Sequence, residues 1–241
     1  MVIITPPPDD NNIAIKEFKG DGDFRNGESI ALLKEADIVI TNPPFSLFRE
    51  YIAQLVEYKK KFLIVGSMNA LTYKETFQLF QQNKMWVGYK KMGADMLFDV
   101  SAEFAKELVA TKKENSGYKI IDGVIKGRAP AIWFTNLSHK KRHKKLILVE
   151  EYKKKSSSYP TYDNFKIIEV AKVKNIPTDY EGVMGVPITF LDKYNPNQFE
   201  ILGIANSARW IGHKCITKIK GKGIYNRILI RNKDLQKGVK T

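Results

Sequence analysis

Cysteine is nearly absent: Cys215 stands alone in 241 residues. An internal disulfide is therefore excluded, and the usage suits a reducing compartment such as the cytoplasm. No run of eighteen apolar residues occurs, so no membrane span is expected. The opening MVIITPPPDD lacks the charged region and the apolar length of a signal peptide. Histidine is scarce as well. His139 and His143 have i, i+4 spacing, but no Cys, Asp or Glu lies close in sequence to complete a zinc site, and no metal is expected. Internal repeats and low-complexity linkers are missing, which leaves no sharp domain boundary in the sequence. Acidic residues are the remaining shortage, 26 against 40 Lys and Arg, for a net charge of +14. That surplus points to a polyanionic partner, nucleic acid first. A lysine-rich solvated surface is the plainer alternative. The 43% hydrophobic content supports a core, and the length suits one large domain or one and a half small ones.

What is present centres on Ala36 to Phe48, ADIVITNPPFSLF. A short apolar run, Ile38-Val39-Ile40, reads as a buried strand. It meets Asn42-Pro43-Pro44-Phe45, and a helical pattern follows. Two consecutive prolines fix φ at about −65° and donate no N–H. The residue ahead of a proline is pushed out of the helical region. The Asn42 amide, the Pro43 carbonyl and the Phe45 ring are thus held in a narrow set of orientations. In an open α/β sheet, ligands bind beyond the carboxyl ends of strands. Such a corner suits a planar NH₂ group on a ring or carbonyl. Its two N–H bonds can point at the Asn42 side-chain oxygen and the Pro43 carbonyl, while Phe45 stacks on the ring. An amine held this way can attack an electrophilic methyl group in line. An ordinary strand-to-helix turn is the alternative, since Asn and Pro are common there.

Along the chain, Met1 to Thr5 and Ile13 to Phe18 read as strands, and Gly20 to Gly27 as a polar loop. Ser29 to Glu35 reads as a short helix. Phe45 to Tyr58 is an amphipathic helix pattern with Phe48, Ile52, Leu55 and Val56 on one side. Phe62 to Val65 is the next buried strand, turning at Gly66-Ser67. Strand, helix, strand at this spacing predicts a parallel βαβ unit. Thr72 to Lys84 and Ser101 to Lys113 read as helices, the second capped by Ser101. Met85 to Tyr89, Met96 to Val100 and Ala131 to Thr135 read as strands. From His139 the text turns basic, HKKRHKK and then Lys153-Lys154-Lys155, with Tyr152, Tyr159, Tyr162 and Phe165 interleaved. Lysines can neutralise phosphates and aromatics can stack on bases; a solvated loop is the alternative for any one of them. Ile167 to Val173 reads as a strand or short helix, Gly182 to Leu191 and Phe199 to Ile204 as buried strands. Thr217 to Arg231 reads as a basic loop and terminal strand in a hairpin.

Asn-Pro-Pro-Phe after an apolar strand resembles the catalytic motif of S-adenosylmethionine-dependent amino-group methyltransferases. Gly22-Asp23-Phe24, with Asp23 nineteen residues before Asn42, resembles the acidic motif that binds the adenine of the methyl donor. With GADMLFDV and GVMGVPITFLDKYNP added, residues 20 to 205 resemble the EcoRI-type adenine-specific DNA methylases of restriction-modification systems. The resemblance implies an α/β, Rossmann-like methyltransferase sheet with a basic C-terminal extension. Residues 1–137 would be a partial catalytic core, and 138–241 a DNA-binding, target-recognition extension with some core strands. It implies S-adenosylmethionine as cofactor, contacted by Asp23 and Phe24. It implies double-stranded DNA with a flipped adenine as partner, and GAATTC as the site read. Asn42, Pro43, Pro44 and Phe45 would be catalytic. The family's Gly-rich donor loop belongs upstream of the acidic motif, and none of the residues ahead of Asp23 reads as that loop. The expectation is a sheet incomplete at its N-terminus, through truncation, a split gene or an altered start, with a partner chain supplying the segment.

Two other readings stay open. Guanine N2 in ribosomal RNA and the glutamine side chain of a protein also present a planar NH₂, although the glutamine enzymes usually carry Tyr at the motif's last position and lack a long basic extension. A catalytically inactive or split DNA-binding remnant is the third reading.

Overall fold

The computed structural model describes residues 20–93, 96–205 and 218–235. The strands expected over Met1 to Thr5 and Ile13 to Phe18, together with Cys215, lie outside them. In chain order the elements are α1 (Gly27–Glu35), β1 (Ile38–Thr41), α2 (Phe48–Glu57), β2 (Lys61–Ser67), α3 (Lys74–Gln81), β3 (Trp86–Val87), β4 (Met96–Asp99) and α4 (Ala102–Ala110). There follow β5 (Tyr118–Ile121), β6 (Val124–Ala129), β7 (Ala131–Thr135), α5 (Lys140–His143), α6 (Tyr152–Lys155), β8 (Ile167–Glu169) and β9 (Val183–Pro187). Last come β10 (Phe199–Ala205), β11 (Lys218–Ile219), β12 (Lys222–Gly223) and β13 (Arg227–Asn232). Helices and sheets are mixed, as expected of an α/β protein, and they form two compact units.

The first unit takes Met1–Leu71 and Gly93–Leu137. Its sheet is centred on β2. The βαβ expectation is met: β1 runs parallel to β2, Ile38 opposite Lys61 through Thr41 opposite Ile64, with α2 as the crossover. On its other edge β2 pairs antiparallel with β7, Leu63 opposite Thr135 through Ser67 opposite Ala131. Asn136 extends that ladder, accepting from the Phe62 N–H at 2.8 Å and donating to the Lys60 carbonyl at 2.8 Å. The stripe expected on α2 is buried at Phe48, Ile52 and Leu55, joined by Tyr51, while Val56 at its margin is only half-buried. Each such side chain contributes roughly 1.5–3 kcal/mol on leaving water. Gly66 is a strand residue rather than the expected turn. A Cβ there would lie 2.4 Å from the Phe48 ring and 2.8 Å from that of Phe134. The Lys59-Lys60-Lys61 run closes α2, and the Lys60 ammonium also reaches back to the Lys34 and Ala36 carbonyls at the end of α1, at 2.7 and 2.9 Å.

Two features of this unit depart from the sequence reading. The strand β1 is not buried throughout: Val39 is 5% exposed, but Ile38 and Ile40 are 45% and 49% exposed. Among the described residues of this unit β1 pairs on one edge, to β2, and only its Val39 face is covered. The second feature is a three-stranded antiparallel sheet, β4-β6-β5, in which β5 and β6 form a hairpin turned by Asp122-Gly123. Both turn residues have positive φ, 49° and 77°, as a type I′ turn demands.

The second unit takes Thr72–Met92 and Ser138–Thr241. Its sheet runs β10-β13-β9-β8, with β8 and β9 parallel and the other pairs antiparallel. The terminal strand β13 is therefore central, inserted between β9 and β10, and not half of the expected hairpin. The hairpin is β11-β12. Met184, Val186, Phe190, Phe199, Ile228 and Ile230 are fully buried and form the core. The helix α3 rests on β10, where the Gln81 side chain donates to the Leu202 carbonyl at 2.8 Å.

Candidate active site

The Asn-Pro-Pro-Phe corner lies at the carboxyl end of β1. Pro43 is buried, whereas Asn42, Pro44 and Phe45 are exposed, Phe45 by 42%. Pro44 is extended, with φ −56° and ψ 125°. Its carbonyl accepts the Leu47 N–H at 3.0 Å and so opens one tight helical turn, Phe45–Leu47, that leads into α2. The corner is thus pinned from both sides, by the β1–β2 ladder before it and by α2, seated through Phe48, after it. Neither the Asn42 side chain nor the Pro43 carbonyl makes a hydrogen bond among the described residues. The corner thus presents an exposed Asn42 side chain and an exposed Phe45 ring on either side of the buried Pro43.

Asp23 and Phe24 come to the same helix. Phe24 is 8% exposed and meets the Tyr51 ring edge-to-face, with centroids 5.0 Å apart and planes at 89°. Its carbonyl accepts from Gln54 Nε2 at 3.1 Å. Arg25 ties the Asp23 loop to α2. It donates to Asp23 at 2.9 Å from Nε and 2.6 Å from Nη2, and to Glu50, in the first turn of α2, at 3.2 Å. Within the loop, Asp21 accepts from the Asp23 N–H at 3.0 Å and the Asn26 amide at 2.6 Å. The side-chain hydrogen bond from Arg25, backed by its N–H, holds the Asp23 carboxyl at a pKa of about 2. A carboxylate has roughly four lone-pair sites. Arg25 fills three of them, with its backbone N–H at 2.8 Å and its two guanidinium contacts. One acceptor site stays open on a carboxylate that is ionised at any physiological pH. That suits contact with a neutral N–H or O–H donor of a ligand.

The basic run from His139 belongs to the second unit and divides into two kinds of residue. Arg142 is 6% exposed, lies 3.7 Å above the Trp86 ring and donates to the Asn83 side chain. His139 caps α5: Nδ1 accepts the Arg142 N–H, and Nε2 lies 3.0 Å from the Val87 carbonyl, to which it must donate. These two hold the segment in place; of the lysines between them Lys140 is exposed, while Lys141 is half-buried and pairs with Asp192. Of the interleaved aromatics, Phe165 is exposed, whereas the three tyrosines are built into the fold. Tyr159 and Tyr162 are buried, at 7% and 3% exposure. Tyr162 donates to Glu169 at 2.6 Å, and Glu169 accepts from Arg227 at 2.7 Å. Tyr152 packs on Tyr180 and Tyr159. Two of the three lysines in α6 are paired, Lys154 with Glu151 and Lys155 with Glu150. No helix among the described residues is long and apolar enough to cross a membrane, and no group of three or more His, Cys, Asp or Glu there could hold a metal ion.

Comparison with known proteins bears on these residues as a set. Residues 7–234 match the family model described as adenine-specific methyltransferase EcoRI. The type II methyltransferase M.EcoRI of Escherichia coli is 47% identical over 227 residues, which cover 94% of this chain and 67% of that protein. M.MpnI of Mycoplasma pneumoniae is 38% identical over 234 residues, 91% of this chain and 72% of that protein. M.MgeORF184P of Mycoplasma genitalium is 36% identical over 240 residues, 94% and 74% respectively. No solved structure matches the chain.

Proposed function

The chain belongs to the adenine-specific EcoRI methyltransferase family, and from that premise we propose that it methylates adenine N6 at a specific site in duplex DNA, as the modification half of a restriction-modification pair. The observation that carries the reading is a pair of acceptors, the Asn42 oxygen and the Pro43 carbonyl, that take no hydrogen bond among the described residues, beside an exposed Phe45 on a corner fixed by two prolines. An adenine inside a duplex has its amine paired and shielded, so the base must leave the stack to reach them. Asn42 and Pro43 then accept the two N6 hydrogens and Phe45 stacks on the purine. Pro44 sets the direction of that ring through its place at the head of the turn. Holding N6 by both hydrogens raises electron density on its nitrogen and aims the lone pair. S-adenosylmethionine, when bound, supplies an electrophilic methyl group. With the donor bound, Asn42 and Pro43 would hold N6 in line with that methyl group, and the surplus N6 proton would pass to solvent after transfer. Asp23 is suited to receive an N–H or O–H of the donor, since it is ionised and keeps one free acceptor site. Phe24, buried under Tyr51, fixes where that carboxylate stands. We assign the β1–α2–β2 unit to a Rossmann-like sheet and the second unit to DNA binding.

Asn42→Ala removes one of the two acceptors. Transfer should fall about 10²- to 10³-fold, the usual loss for one preorganised polar contact, with DNA affinity within about twofold of wild type. Tritiated-methyl incorporation and fluorescence anisotropy measure the two, and full activity in the variant would sink the assignment. Calorimetry with the donor tests Asp23: Asp23→Asn should weaken binding about tenfold, as expected for one hydrogen bond to a charged group. If the purified chain takes up no donor but still binds DNA, donor capture falls to a partner chain carrying the Gly-rich loop.

A further inference from the structure

The second unit holds a cleft of about 610 Å³ whose walls carry six lysines, Lys91, Lys140, Lys141, Lys144, Lys145 and Lys193, against one acid, Asp192. Lys91 and Lys193 come from segments about fifty residues either side of the basic run, so the cluster is made by the fold. Asp192 is 8% exposed and spoken for: it accepts the Met92 N–H at 2.9 Å and the Lys141 ammonium at 2.5 Å. That one buried carboxylate ties the 89–92 segment and the start of the basic run to the turn bearing Lys193, which sets the shape of the cleft without a ligand. Lys145 pairs with Asp234. Lys91, Lys140, Lys144 and Lys193 are exposed and have no acidic partner among the described residues. Four like charges on one concavity repel one another unless an anion lies among them. The wall is not only basic. Tyr89 and Ile147, 70% and 81% exposed, stand on the same cleft. An apolar pair this open within a ring of cations suits a ligand that is anionic along its edges and apolar between them.

We propose that this cleft is a contact surface for duplex DNA, its free lysines neutralising backbone phosphates and Tyr89 and Ile147 lying against the sugars and base edges of the groove between. The inference rests on the DNA-methyltransferase reading above and adds to it the surface that holds the substrate. Its location outside the unit bearing the Asn-Pro-Pro-Phe corner makes the two separable by experiment.

The test is the salt dependence of duplex binding, measured by anisotropy between 50 and 200 mM salt. Each phosphate contact contributes about 0.9 to the slope of log K against log salt. The triple variant Lys140→Gln, Lys144→Gln, Lys193→Gln should lower the slope by about 2 to 3, equally on specific and unrelated duplexes. A second triple, Lys106→Gln, Lys112→Gln, Lys113→Gln, removes the same charge from exposed positions of the first unit and should leave the slope as in wild type. Tyr89→Ala should weaken binding with the slope unchanged. Equal slope changes in the two triples, or none in the cleft triple, would overturn the assignment of the cleft while leaving the methyltransferase reading intact. Wild-type chain that binds no duplex at all would overturn both. All three variants alter exposed side chains, and an unchanged melting temperature confirms that each is folded.

Discussion

Gly185 occupies a position that a single methyl group would destroy. A Cβ there would stand 1.8 Å from the Tyr162 hydroxyl, and that hydroxyl cannot easily move away. It donates to Glu169, a nearly buried carboxylate that also accepts from Arg227. Gly185→Ala must therefore either displace the ring and leave Glu169 short of a donor, or push β9 away from its neighbours. Overpacking alone costs about 1–3 kcal/mol, and a lost hydrogen bond to a charged group adds about 1.5–3 kcal/mol. A loss of about 3 kcal/mol in unfolding free energy is expected by denaturant titration, and a change under about 1 kcal/mol would show that the ring has room to yield. The same argument applies more weakly at Gly66, where the obstacles are the Phe48 and Phe134 rings. At the candidate site the logic is reversed. Asn42 is exposed and its side chain makes no hydrogen bond among the described residues, so its replacement should cost chemistry and not stability.

At the scale of one element, α5 shows why a basic run can be misread. By composition HKKRHKK is a patch of charge. In the fold its first residue is a neutral cap and its only arginine is a buried strut. Burial, aided by the positive Lys141 and Arg142, lowers the His139 pKa below its ordinary 6.5, against the opposing pull of the Val87 carbonyl. The neutral ring is the one whose Nδ1 can accept from Arg142. The sign follows from linkage. With the folded pKa depressed, the unfolded chain binds the proton more readily, so the stabilisation is full above pH 6.5 and is lost as pH falls through the lower folded value. The melting temperature should drop between pH 7.5 and 5.5. In His139→Asn, which keeps a capping side chain and cannot titrate there, that drop should shrink. An identical drop in both proteins would place the titrating group elsewhere.

Elements whose signal is local were legible in the sequence: the apolar stripe of α2, the Ser101 cap, which accepts the Phe104 N–H, and the βαβ unit around the corner. Long-range pairing was not. Nothing in RILIRN says that β13 threads between β9 and β10, and Ile38-Val39-Ile40 carries no mark of which face stays uncovered. The Asp122-Gly123 hairpin did carry a mark, an Asp-Gly pair between two apolar runs, and was missed. The residues of the candidate site stand side by side in the sequence, as Asp23-Phe24 and Asn42 to Phe45. The part of Arg25, which links Asp23 to the first turn of α2, was not legible there, because an Asp-Phe-Arg text does not say where the guanidinium turns.

For the whole molecule the net charge of +14 hides a division. The unit made of residues 72–92 and 138–241 holds 26 basic and 10 acidic residues, whereas the unit bearing the Asn-Pro-Pro-Phe corner holds 14 and 16. One unit carries +16 and the other −2, which together restore the total. On the proposed reading, polyanion capture belongs to the basic one of these units and the chemistry to the other, and the two should respond differently to salt. Counterion release governs the first: six to ten phosphate contacts lose about 10³- to 10⁵-fold in affinity between 50 and 200 mM salt. On that reading the second depends on the Asn42 and Pro43 acceptors and the Phe45 ring around an extruded base, where screening by salt has little to act upon. Steady-state methylation of a short duplex should therefore show kcat/KM falling steeply over that range while kcat stays within about twofold. Removing cleft lysines should flatten the fall in kcat/KM and leave kcat where it was. Asn42→Ala should do the reverse, lowering kcat at every salt concentration without changing the slope. A kcat that fell in parallel with kcat/KM would mean that cations of the basic unit act on the reacting groups themselves, and the division of labour drawn from the charge would be wrong.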